Sequence, residues 1–103
     1  MQTPFELSQL RALRRSGQAP SLPVFLTSNW VLLANMQRCG AMAIRVRPDD
    51  AEHDWEAVAG LDVVLGIPDR DEWTPLMKAV RESNPRRLRV LSEEGLTTMW
   101  YAQ

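Results

Sequence analysis

Apolar residues follow two alternating rhythms along this chain. From Pro4 to Ser16, Leu7, Leu10 and Leu13, with Phe5 ahead of them, keep the three- and four-residue spacing of an amphipathic helix. Arg14 and Arg15 fall in its last turn, where cations complement the helix dipole, and Gly17 suits its end. Val24-Phe25-Leu26 is a short unbroken apolar run, the signature of a strand covered on both faces. Thr27-Ser28-Asn29 then offers helix caps, and Trp30, Val31, Leu33, Ala34 and Met36 carry a helix to Cys39, closed by Gly40. Residues 41–47 predict the second strand. Pro48-Asp49-Asp50 opens a third helix carrying Trp55, Val58 and Ala59. Residues 61–67 form the clearest strand, and Glu72 to Ser83 predicts a helix with Pro75 in its first turn. Arg86 to Leu91 reads as a fourth strand. Ser92-Glu93-Glu94-Gly95 reads as a tight turn into a fifth, Leu96 to Tyr101.

Strands alternating with helices at this spacing imply right-handed crossovers and a parallel sheet. The expected fold is α/β: a three-layer, Rossmann-like arrangement of four mostly parallel strands with crossover helices, plus a C-terminal antiparallel edge strand. The 103 residues suit a single domain, 1–103. An apolar content of 45% fits a globular core. No apolar stretch is long enough to span a bilayer, and Met1 to Glu6 lacks the features of a secretory leader. The lone Cys39 forms no internal disulfide and fits a buried structural thiol in a reducing compartment, so a cytoplasmic, bacterial-style protein is expected.

Charge is segregated beneath a net −1. Residues 1–47 balance at +5, residues 48–72 at −8 and residues 73–103 at +2. Eleven of the twelve bases are arginine, which favours bidentate pairing with carboxylate or phosphate. Mutual neutralisation of these segments is the plain reading. Nucleic-acid binding through Arg11, Arg14, Arg15, Arg45, Arg47, Arg86, Arg87 and Arg89 is a less favoured one, because the isoelectric point is acidic, near 5.8.

In open parallel sheets, ligands gather at the carboxyl ends of the strands. That rule selects Thr27, Ser28, Asn29, Arg47, Asp49, Asp69, Arg70 and Asp71 as candidate ligand-binding residues, with Ser92-Glu93-Glu94 in the same layer. Thr27-Ser28-Asn29 reads either as a plain helix cap or as an anion cradle, although no Gly-rich phosphate loop accompanies it. Asp69, Asp71 and Glu72 read either as capping acids or as a Mg²⁺ site, since that ion prefers carboxylate oxygens. The apolar strand Val63 to Ile67 followed by Asp69-Arg70-Asp71 resembles the Toprim domain of primases and topoisomerases, which sets an Asp-x-Asp after an apolar strand. The resemblance implies Mg²⁺-dependent phosphoryl transfer or a remnant nucleic-acid enzyme. The chain departs from that family in having Thr27 and Ser28 where it sets a glutamate.

His53, the only histidine, reads as a solvated helix residue, and no zinc set or nucleophile–base pair can be assembled around it or Cys39. Trp30, Trp55 and Trp73 read as helix–sheet packing. Thr98, Trp100 and Tyr101, on the expected edge strand, mark a pairing surface for a protein partner or a second copy. The leading functional expectation is therefore a non-catalytic α/β interaction module without a cofactor, the Mg²⁺ enzyme being the alternative.

Overall fold

The computed structural model describes residues 5–102. The predicted helix start at Pro4 lies outside them. Among the described residues the chain forms four α-helices and a four-stranded sheet.

Helix α1, Leu7–Arg15, buries Leu10 and ends at Gly17, whose φ of 79° is costly for any residue with a Cβ. Strand β1, Val24–Thr27, is buried throughout, as its unbroken apolar run requires. Asn29 caps α2, Trp30–Arg38, by accepting the Leu32 N–H at 3.1 Å. β2 spans Met42–Arg45, β3 Asp62–Gly66 and β4 Arg87–Leu91. Helix α3, Thr74–Glu82, follows a single 3₁₀ turn, Asp71–Trp73. Helix α4 spans Glu93–Tyr101.

All pairings are parallel, in the order β2-β1-β3-β4. Side-chain alternation splits the core into two layers. Val24, Leu26, Ile44, Val63 and Leu65 face one way and pack with Leu10 of α1, Trp55, Val58, and Leu76 and Val80 of α3. Phe25, Ala43 and Val64 face the other way and pack with Leu32, Leu33 and Met36 of α2 and Leu96 of α4. The result is the three-layer α/β fold. No described helix is long and apolar enough to cross a membrane.

The antiparallel edge strand expected at Leu96 to Tyr101 is instead α4. Ser92 caps it, its hydroxyl accepting the Gly95 N–H at 3.0 Å, and Glu93 and Glu94 occupy the first turn where the dipole favours acids. Leu96, Met99 and Trp100 then share one helical face toward the sheet. Trp100 meets Phe25 edge-on at 5.6 Å between ring centroids, and its indole N–H donates to Asn35 Oδ1 at 2.7 Å. Thr98 and Tyr101 are exposed, Tyr101 by 57%. Thr98, Trp100 and Tyr101 therefore do not form a strand edge.

The third expected helix is also different. Two short 3₁₀ turns, Pro48–Glu52 and Glu56–Val58, connect β2 to β3. Asp54 Oδ1 accepts the Glu56 N–H at 3.0 Å, a local bond that competes with a continuous helix. Trp55 folds back so that its indole N–H reaches the Asp50 carbonyl at 2.8 Å. Helix α1 completes this layer. Its Arg11 and Arg14 donate to the carbonyls of Asp54 and Ala59 at 2.8 and 2.9 Å.

Two single-residue expectations change as well. Trp30 is 61% exposed rather than packed on the sheet, with the Arg45 guanidinium 4.0 Å from its ring centroid. Cys39 is exposed at the C-terminal end of α2, not buried.

Candidate functional site

Parallel pairing brings the carboxyl ends of all four strands to one edge of the sheet. The chain leaves β1 toward the face covered by α2 and leaves β3 toward the face covered by α3, so the topological switch point lies between them. There the side chains of residues 27–29 are engaged with the protein itself. Thr27, fully buried, accepts the Asn29 N–H at 3.1 Å on its hydroxyl. Asn29 caps α2. Ser28 donates to the Glu93 carboxylate, bridging the first turns of α2 and α4. Asn29, Glu93, Glu94, Thr97 and Thr98 border a shallow depression here.

The selected loops do not share one pocket. Arg47 and Asp49 belong to a cleft of about 490 Å³ beside β2 that also takes in Trp30, Arg45, Arg11 and His53. Asp50 accepts the Arg47 N–H at 2.7 Å and lies 3.3 Å from Nε2 of the exposed His53.

Asp69 and Arg70 border a third depression of about 270 Å³, between the turn after β3 and the end of β4. Among the described residues no three His, Cys, Asp or Glu side chains come together as a metal-binding group. Asp69, Asp71 and Glu72 do not form such a group. Asp71 and Glu72 open the 3₁₀ turn as exposed first-turn acids, and Glu72 lies 3.4 Å from Arg70 Nη2. The acid that the Toprim resemblance needs at the end of β1 is likewise replaced by the engaged Thr27 and Ser28.

The third depression has a feature that sequence reading missed. Trp73 is only 5% exposed, yet its indole N–H has no acceptor among the described residues. A buried donor without a partner carries a desolvation cost that an incoming acceptor would relieve. Val90, 39% exposed, and Met77 stand beside it. The outer edge of β4 adjoins this depression, and no described strand pairs with it. Register sets Leu88 and Val90 on the α3 face with Val63 and Leu65, and Arg89 on the α4 face with Val64. Arg87 shares the face of Arg89 by strand alternation.

The arginines divide between opposite edges of the sheet rather than forming one basic face. Arg45 and Arg47 flank the β2 edge, and Arg87 and Arg89 lie on β4. Arg86 is committed to Asp62 through two hydrogen bonds, at 3.0 and 2.8 Å. That hydrogen bond holds the Asp62 carboxyl below its ordinary pKa and raises that of Arg86. The Trp30–Arg45 stack was also missed. Its signal lay in register: Arg45 pairs with Thr27, three residues before Trp30. No protein-family model, curated protein or solved structure matches the chain.

Proposed function

We propose that this protein is a non-catalytic interaction module that captures an extended segment of a partner protein along the outer edge of β4. The observation that carries this reading is the pairing of an unpartnered strand edge with the acceptor-less indole N–H of Trp73 beside it. Strand addition supplies main-chain hydrogen bonds, and alternate side chains supply specificity. The β4 pattern Arg87-Leu88-Arg89-Val90 asks for alternation in the partner: acidic residues toward the arginines, apolar ones toward Val90 and Met77. A carbonyl or carboxylate of the bound segment supplies the acceptor for Trp73. A second copy of the chain is the poorer occupant. Antiparallel self-pairing centred on Leu88 or Arg89 sets arginine opposite arginine, which is destabilising.

The test is fluorescence anisotropy with a labelled peptide of alternating glutamate and valine, and its lysine–valine counterpart. The native protein should bind the acidic peptide in a salt-sensitive manner. The double substitution Arg87→Glu with Arg89→Glu, at two exposed positions, should reverse the preference. Binding that ignores the charge reversal, or no binding of either peptide, would refute the proposal.

A further inference from the structure

The cleft beside β2, on the opposite edge of the sheet from β4, has a different chemistry. The N-terminal segment borders it, since Gln37 Nε2 donates to the Ala43 carbonyl at 2.9 Å and to the Phe5 carbonyl at 3.4 Å. Its apolar lining includes Leu7, Leu33 and Ile44. Its wall is the stack of Arg45 on the exposed ring of Trp30. Such a stack offers a flat, positively charged surface, because guanidinium groups pack face-on against other planar groups.

Glu6, Asp49 and Asp50 line the cleft beside its arginines, without pairing with them. Arg11, Arg45 and Arg47 make no ion pair among the described residues, and Asp50 is engaged by the Arg47 backbone and His53. The Nε–H groups of Arg11 and Arg45 are buried without an acceptor among the described residues. The volume of about 490 Å³ falls within the range of small-molecule sites. An apolar lining, a flat guanidinium–indole stack and arginines without an ion pair together select a particular kind of ligand.

We infer that the cleft binds a small planar anion: an aromatic or heteroaromatic ring carrying one phosphate or carboxylate. The ring lies against the Arg45–Trp30 stack, and the anionic group faces Arg47 and Arg11. This site is independent of the β4 edge, so either can fail without the other.

The experiment is titration of the full chain with adenosine monophosphate, benzoate, adenosine and inorganic phosphate, followed by the indole N–H resonance of Trp30 and by calorimetry. At least one of the two aromatic anions should saturate, with a shift at Trp30. Binding of adenosine monophosphate alone identifies phosphate as the favoured group, and binding of benzoate alone identifies carboxylate. Adenosine and inorganic phosphate should each bind about tenfold more weakly or worse, a difference of about 1.4 kcal/mol. Trp30→Ala and Arg45→Met should each weaken the aromatic anion by about tenfold. Arg47→Gln, at an exposed position, provides the same readout should either of those variants fail to fold. The inference is overturned if neither anion saturates at about 10 mM, weaker than ordinary small-molecule affinity. It is equally overturned if adenosine binds as well as its phosphate, or if all three variants bind as the parent does.

Discussion

Gly66 is the position where one added methyl group should cost the most. It sits in β3 with an ordinary backbone conformation, so alanine meets no φ penalty there. The obstacle is Leu96 of α4. A Cβ on residue 66 would lie 2.3 Å from Leu96 Cδ2, 2.9 Å from its Cβ and 3.1 Å from its Cγ. The Cδ2 contact could be relieved by a rotamer change, but Leu96 is fully buried and has little room. The Cβ contact is tied to the helix backbone, so α4 itself must lift. Overpacking of this kind costs about 1–3 kcal/mol, and the backbone-linked contact places Gly66→Ala in the upper half, about 2–3 kcal/mol. For a domain of this size that corresponds to a fall in Tm of roughly 10–20 °C. Leu96→Ala alone should cost about 2–5 kcal/mol through its cavity. The double variant should cost less than the sum, by about 1–2 kcal/mol, because the cavity removes Cγ and Cδ2 and accepts the new methyl group. Urea unfolding followed by tryptophan emission and far-UV circular dichroism measures all four corners of the cycle. Additive single effects, or a Gly66→Ala variant within about 0.5 kcal/mol of the parent, would refute the close packing of α4 on β3.

Other consequences can be checked on the same material. The Arg86 hydrogen bond depresses the pKa of Asp62, so its contribution to stability is present above the unfolded carboxylate pKa and is lost as pH falls through the lower folded value. Arg86→Gln should therefore melt below the parent near neutrality, with the two curves converging in acid; a gap that persists in acid would exclude this pair as its cause. Cys39 should react with Ellman's reagent in the native state at the rate of a free thiol, and a requirement for denaturant would contradict its exposure. Asn84 has a φ of 58°, so Asn84→Gly should leave thermal stability nearly unchanged while Asn84→Val costs about 1–2 kcal/mol; equal melting of the two variants would argue against the left-handed conformation.

The parallel sheet was legible because its signals are local. The unbroken runs of β1 and β3 have no polar side to show, and Gly17 and Gly40 mark helix ends where φ is 79° and 83°. Helix α4 was misread because Thr97, Thr98, Trp100 and Tyr101 favour strands, and this preference masked the cap at Ser92 and the acidic first turn. The strand-end loops were legible as a place, but not as a site. Whether Ser28 is available depends on Glu93, 65 residues away, and whether Trp73 finds an acceptor depends on how a turn lies against β4. Neither relation has a sequence spacing. Trp30 and Arg45 meet only through the register of β1 on β2.

The use of α1 to complete the layer left thin by two 3₁₀ turns bears on the order in which the chain assembles. This helix leaves the ribosome before the other described elements, yet the carbonyls that receive Arg11 and Arg14 belong to Asp54 and Ala59, 43 and 45 residues later. Nine residues make a marginal helix by themselves, so α1 has little to hold it until the segment before β3 has been synthesised. Its docking over Trp55 and Val58 thus waits for that segment to emerge. A helix made ahead of the whole described sheet is the one that closes the layer.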